Sequence, residues 1–97
     1  MSPENKKKLA HIRVKLDKLD NQLLSLIKYR TSLVNNVINL KQFKKEIVDK
    51  KRIDTILKKI KNKSIKLNID TKITNRIWKN MIWSYIDYEK KIFNSKK

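Results

Sequence analysis

Two charged residues of this sequence fall among apolar residues, where burial of a charge would be costly. Arg30 falls on the apolar face of the stretch LLSLIKYRTSLVNNVINLK, residues 23–41, and Glu89 falls among apolar residues near the C-terminus. An arginine keeps its charge, so its burial is unfavourable unless an anion meets it. Because a guanidinium grips a carboxylate with two parallel hydrogen bonds, Arg30 indicates a site for a small polycarboxylate.

Helical spacing relates Arg30 to two further cations. Lys41 follows Arg30 by 11 residues, or three helical turns, so the two side chains point within about 20° of each other. Arg13 precedes Arg30 by 17 residues and points about 100° away. If a second chain lies alongside, Arg13 is expected to enter the partner's site, while Arg30 and Lys41 line their own.

Each of these residues also has a structural interpretation. An arginine on an apolar helix face can set the register of a helix pair or belong to a buried ion pair. Lys41 alone is typical of a surface residue. The simplest interpretation of Glu89 is a core carboxyl that is either neutral or paired with Lys41 or Arg30. His11 is expected to be exposed. Without a second His or a Cys, the sequence predicts no metal site.

The first helix must position most of these groups. Ser2-Pro3-Glu4 is typical of a helix start, and the helix is predicted over residues 4–42. Its apolar residues recur at alternating steps of three and four, the pattern of a coiled-coil seam. We call this row the seam; it consists of Leu9, Ile12, Leu16, Leu19, Leu23, Leu26, Arg30, Leu33, Val37 and Leu40.

The length of this helix predicts a dimer. At 1.5 Å per residue it extends about 55–60 Å, whereas a compact globule of this chain length has a radius of gyration of about 12–13 Å. The remaining residues are too few to cover the whole seam. A second copy of the chain is therefore expected to cover it, in an obligate homodimer.

Two shorter helices complete the expected fold. Asp49 is predicted to cap a helix over residues 49–62, which the polar run Asn62-Lys63-Ser64 would end. Asp70 is predicted to cap a helix over residues 70–94. The apolar faces consist of Ile53, Ile56, Leu57 and Ile60 on the first of these and of Ile73, Ile77, Met81, Ile82, Tyr85, Ile86 and Phe93 on the second. The fold class is all-α, with residues 1–97 as a single domain.

Composition narrows the classes of function. The net charge is +17, but 22 of the 26 basic residues are lysines scattered along the chain, which is more typical of a solvated surface than of a nucleic-acid-binding protein. The absence of cysteine excludes disulfides and thiolate zinc sites. No stretch suits a signal peptide or a membrane span, so a soluble, cytoplasmic protein is expected.

The stretch IRVKLDKLDNQLLSLIKYRTSLVNNVINLK, residues 12–41, resembles the first helix of the all-helical chorismate mutase family. The resemblance continues to about Ile92 and implies three helices per chain in an intertwined homodimer. It also implies roles for four residues. Arg13 crosses into the partner's active site, Arg30 grips a substrate carboxylate, Lys41 contacts the ether oxygen and a carboxylate, and Glu89 is the second contact to the ether oxygen.

The resemblance is less complete in the second helix. Asp49 and Arg52 match the family's Asp-x-x-Arg, with a connection one residue shorter that leaves Lys51 as an alternative to Arg52. Ile53 replaces the Glu that binds the substrate hydroxyl. Tyr85 replaces a small polar residue of the third helix. Ile53 and the pair Tyr85-Ile86 resemble the related isochorismate pyruvate lyases.

The resemblance implies a cofactor-free chorismate mutase that makes prephenate for aromatic amino acid biosynthesis. Because the rearrangement is pericyclic, it requires neither a nucleophile nor a proton donor, and Glu89 would donate to the ether oxygen only when protonated. The first alternative is an isochorismate pyruvate lyase that forms salicylate and pyruvate. The second is a basic helical dimer that binds nucleic acid, which would leave the placement of Arg30, Lys41 and Glu89 unexplained.

Overall fold

A computed structural model describes residues 1–95 and contains three α-helices. They are α1, Pro3–Leu40; α2, Lys50–Lys66; and α3, Thr71–Ser95, with a 3₁₀ helix at Lys44–Glu46 between α1 and α2. The described residues include no strand. The prediction of an all-α chain with a very long first helix is therefore confirmed.

Side-chain caps begin the helices where the sequence indicates. Ser2 Oγ accepts a hydrogen bond from the Asn5 N–H at 3.1 Å. Asp49 Oδ1 accepts from the Arg52 N–H at 3.0 Å, and Asp70 Oδ1 accepts from the Lys72 N–H at 2.9 Å. Each cap satisfies a backbone donor that has no partner within its helix, which fixes the start of that helix.

The chain divides into two compact units, the first comprising residues 1–33. In this unit the apolar side chains of the seam are largely accessible, because a single helix has no second element against which to bury one face. Leu19 and Leu23 are each 54% exposed, and Leu26 is 66% exposed. Arg30 is half-buried. The prediction of a single domain stays a prediction.

The second unit begins at Val34 and contains a packed core. Its central residues are Ile47, Ile82 and Ile86, and the partly buried residues packed against them are Val48, Ile53, Ile56, Leu57 and Phe93. The predicted apolar face of α2 is confirmed for Ile53, Ile56 and Leu57, while Ile60 is half-buried outside this core. On α3 the prediction was correct for Ile82, Ile86 and Phe93, whereas Ile73 and Ile77 are 56% and 52% exposed.

The predicted end of the second helix was wrong, since α2 continues to Lys66. Ser64 does not break the helix because its hydroxyl donates to the Ile60 carbonyl at 2.6 Å and shares a 2.7 Å hydrogen bond with the Thr74 hydroxyl. The helix ends instead at Leu67, and Asn68 follows with a φ of 56°. This left-handed residue lets the Ile69 N–H donate to the Ser64 carbonyl at 2.9 Å.

Candidate active site

Lys41 and Glu89 form an ion pair between the segment that follows α1 and the middle of α3. Lys41 Nζ lies 3.5 Å from Glu89 Oε1, and the two side chains are 19% and 10% exposed. Burial of either charge alone would be costly, so each side chain stabilises the other. Lys41 and Arg30 were the two partners expected for Glu89, and the structure pairs Glu89 with Lys41.

The chain on both sides of Lys41 is anchored. Ile38, one turn earlier, is 2% exposed, and Ile47 lies in the core at 4% exposed. Between them, Glu46 Oε2 accepts hydrogen bonds from the Gln42 and Phe43 N–H groups at 2.9 and 3.2 Å. These bonds satisfy backbone donors directly after Lys41, so the lysine projects from a fixed point.

Glu89 owes its position to the apolar periodicity of α3. It follows Ile86 by three residues and precedes Phe93 by four, so it lies on the face that packs into the core. The residue as a whole is 7% exposed. The sequence-based placement of a charged residue on the apolar face of the third helix is thus confirmed.

Tyr88, which directly precedes Glu89, forms a contact between α3 and α1, with Asn35; neither residue was predicted from the sequence. The Tyr88 hydroxyl donates to Asn35 Oδ1 at 2.7 Å, across a sequence separation of 53 residues. The Tyr88 ring also packs edge-to-face on the half-buried Tyr85 ring, with centroids 6.4 Å apart and planes at 84°. Tyr88 and Asn35 are half-buried polar residues, but nothing in a single sequence indicates that these two distant residues contact each other.

The α2 candidates lie in the first turn of that helix and just before it. Asp49 is exposed and caps the helix, because its Oδ1 accepts a hydrogen bond from the Arg52 backbone N–H. Lys51 and Arg52 are both exposed, while Ile53 is half-buried and packs against the core. The structure brings Lys41 together with Glu89 and Asp49 together with the Arg52 backbone.

Arg13 and Arg30 belong to the first unit. Arg13 is exposed and Arg30 is half-buried, both on α1. An exposed cation on a helix with an accessible apolar face is available to a second chain. The roles of both arginines stay predictions.

A cleft of about 490 Å³ opens between α2 and α3 within the second unit. Leu57 and Ile60 form its apolar part, and the remaining lining residues are Asp54, Lys58, Lys61, Thr71, Lys72 and Asn75. None of the predicted site residues lines this cleft. The Lys41–Glu89 pair, and not the cleft, is therefore the candidate catalytic centre.

A family model described as chorismate mutase type II matches residues 12–90. The chain belongs to the chorismate mutase type II family. The matched segment includes every predicted site residue, from Arg13 to Glu89. Neither a curated protein nor a solved structure matches the chain significantly.

The pair suits the chemistry expected of a chorismate mutase. An ammonium held by a carboxylate 3.5 Å away can donate a hydrogen bond to an oxygen atom that gains negative charge. Within residues 1–95, no group of three or more His, Cys, Asp or Glu side chains is arranged to hold a metal ion. None of the described helices is long and apolar enough to cross a bilayer.

Proposed function

We propose that this chain is a chorismate mutase that rearranges chorismate to prephenate in aromatic amino acid biosynthesis, without a cofactor. The observation that carries the proposal is the part-buried Lys41–Glu89 pair in a chain of this family. By the resemblance of the sequence, the two groups match the positions that contact the substrate ether oxygen in the family. A part-buried lysine that meets a carboxyl is also poorly explained as a solvated surface residue.

The mechanism requires positioning and charge stabilisation. As the ether C–O bond breaks, a C–C bond forms within the same molecule, so no group is transferred to the protein. Holding the enolpyruvyl side chain over the ring removes part of the entropic barrier. Lys41 donates a hydrogen bond to the ether oxygen as negative charge develops there, and Glu89 holds the ammonium in place. A donor that is already oriented stabilises this charge without reorganisation.

The substrate's two carboxylates are assigned to Arg30 and to Arg13 of the partner chain. This assignment rests on the family positions of the two arginines and on the bidentate geometry of Arg–carboxylate pairs. A lysine would provide only a point charge at these positions. Asp49, Arg52 and Tyr85 complete the proposed substrate-binding residues, again by family position.

A homodimer is part of the proposal. The accessible apolar seam supports it, because a contiguous row of half-exposed leucines is unfavourable in water and typical of an interface. Covering that row with a second α1 would bury apolar area at roughly 25 cal/mol per Å². It would also bring the exposed Arg13 of one chain to the other chain, as the family's intertwined dimer requires.

An isochorismate pyruvate lyase is the second candidate, and Ile53 favours it. Ile53 is half-buried against the core at the position where a mutase carries a hydroxyl-binding Glu. An apolar side chain offers no hydrogen bond to the chorismate hydroxyl, whereas isochorismate carries its hydroxyl elsewhere on the ring. The same cations would orient the substrate in both reactions.

Product identification separates these candidates. Purified protein is incubated separately with chorismate and with isochorismate, and the products are resolved by chromatography, with a Lys41→Met variant prepared in parallel. Prephenate made by the wild type but not by the variant is the expected result. Salicylate and pyruvate from isochorismate alone would establish the lyase. Turnover of neither substrate would contradict both activities and favour a binding role.

A further inference from the structure

Tyr88 connects α3 to the last turns of α1 beside the catalytic pair. Asn35 precedes Lys41 on one side, and Tyr88 directly precedes Glu89 on the other. The hydrogen bond Tyr88–Asn35 and the ion pair Lys41–Glu89 therefore join the same two parts of the chain. A shift of α3 relative to the end of α1 would therefore change both contacts.

The two contacts differ in how firmly they fix geometry. The Tyr88–Asn35 bond, at 2.7 Å, has the most common length of an O–H···O hydrogen bond and joins two side chains with few rotatable bonds. The Lys41–Glu89 contact, at 3.5 Å, is loose, and the lysine stem is flexible. A loose ion pair needs an external constraint to stay aligned. The tyrosine–asparagine bond joins the same two parts of the chain and can provide that constraint.

Tyr88 also supports a second candidate residue. Its ring meets the Tyr85 ring edge-to-face, a preferred arrangement of aromatic pairs that stabilises one ring orientation. Tyr85 lies one helical turn before Glu89. One side chain thus contacts Tyr85, precedes Glu89 and bonds to α1.

We propose that Tyr88 is a positioning residue: its hydroxyl, bound to Asn35, fixes the end of α1 against α3 and so aligns Lys41 with Glu89, and its ring orients Tyr85. The effect of Tyr88 on turnover rests on the proposed function. Its effect on the alignment of Lys41 with Glu89 is independent of that function, so the alignment and the activity can be tested separately.

The alignment is tested without substrate. The coupling between Lys41→Met and Glu89→Gln is measured by urea unfolding at one fixed protein concentration, in the wild type and in Tyr88→Phe. We expect a coupling of about fivefold in the unfolding equilibrium constant for the wild type, within the range of pairs in contact. In Tyr88→Phe, which keeps the ring and loses the hydroxyl, we expect it to approach unity. If Tyr88→Phe does not fold, Asn35→Leu removes the same bond.

Kinetics then test the consequence for turnover. Tyr88→Phe is expected to lower kcat about tenfold, with KM changed less than about twofold, because the misplaced groups act on charge that exists only in the transition state. Asn35→Leu should reproduce this effect, and the double variant should be no worse than either. Tyr29→Phe, at an exposed tyrosine of α1, should match the wild type.

The outcomes are distinct. A coupling that is unchanged in Tyr88→Phe would overturn the positioning role whatever the substrate is. If Tyr88→Phe reduces the coupling but the wild-type protein turns over neither substrate, the proposed activity is overturned. The positioning of Lys41 by Tyr88 would then still stand. A Tyr88→Phe variant with raised KM and wild-type kcat would contradict the proposal, since it would show a role in substrate binding.

Discussion

Glu89 Oε1 lies 3.5 Å from Lys41 Nζ across 48 residues of sequence, and both side chains are largely withdrawn from solvent. Each group is the electrostatic partner of the other in the resting protein. Substrate would therefore meet a lysine that is already oriented, in a region of lower effective dielectric than water. The length of the contact leaves room for the ammonium to turn toward a bound oxygen, since catalytic hydrogen bonds are often loose before substrate binds.

Replacement of Lys41 tests its role most directly. Lys41→Met keeps much of the apolar stem and removes the ammonium, so we expect turnover to fall by about 10²-fold or more, as for the loss of one oxyanion donor. The measurement is steady-state kinetics with chorismate. Lys44→Met, an exposed lysine in the 3₁₀ helix, is the matched control and should keep wild-type activity. Equal losses in both variants would contradict a specific role for Lys41.

Replacement of Glu89 tests whether it orients Lys41. Glu89→Gln keeps the shape of the side chain and removes the negative charge that faces the Lys41 ammonium, so kcat should fall about tenfold with little change in KM. The measurement is steady-state kinetics with chorismate. Asp87→Asn, at an exposed acid of α3, is the control. A Glu89→Gln variant with wild-type kcat would contradict an orienting role for Glu89.

Mixing two inactive variants tests the shared site. Arg13→Ala and Lys41→Met are each expected to be inactive as homodimers. If Arg13 serves the partner's site, mixed dimers restore one intact site, and an equimolar exchange should recover about a quarter of wild-type activity. The subunits are unfolded together, refolded and assayed, with each variant refolded alone as the control. No recovery, with dimers confirmed by sedimentation, would place Arg13 in its own chain's site or outside the site.

Asp49 combines a predicted substrate contact with an observed structural role. Because its Oδ1 accepts the Arg52 N–H, Asp49→Ala should lower the free energy of unfolding by about 1 kcal/mol. Asp49→Asn retains the cap and should recover most of that stability. Asp87→Ala, at an exposed acid of α3, is the control. If urea unfolding shows no difference between Asp49→Ala and Asp49→Asn, the cap is not a determinant of stability.

The buried hydroxyl pair of α2 and α3 gives a prediction about packing. Ser64 is 3% exposed and Thr74 is 9% exposed, and removal of either hydroxyl leaves a buried partner poorly satisfied. Ser64→Ala and Thr74→Val should each cost about 1–2 kcal/mol, and the double variant should cost less than the sum. Thr55→Val, whose exposed hydroxyl bonds only to its own helix, should cost less. Additive losses would argue against the pair.

Local signals predicted much of the fold. The caps at Ser2, Asp49 and Asp70 depend on neighbouring residues, so the sequence was sufficient to place them. The extent of α2 was misjudged because the role of Ser64 depends on Thr74, in another helix. A polar run can end a helix, or it can lie inside a helix where that helix contacts another one. The residues that pack against the run decide between these outcomes.

The residues of the candidate site were predicted or missed for similar reasons. Lys41 and Glu89 were predicted because a charged residue is conspicuous among periodic apolar residues or matches a family pattern. Tyr88 and Asn35 were missed because a tyrosine and an asparagine on half-buried faces carry no such contrast, and their contact joins distant parts of the chain. The roles of Arg13 and Arg30 depend on a second chain and on substrate, so they stay predictions.

The left-handed Asn68 between α2 and α3 has a consequence for how this turn can change in evolution. Glycine is the residue that most readily adopts such a conformation, yet the chain contains none. No single-nucleotide change converts an Asn codon to a Gly codon, and the intermediates encode Asp or Ser. Asp tolerates the left-handed region better than most residues. The mutational route by which this turn could acquire glycine without a badly strained intermediate therefore runs through aspartate.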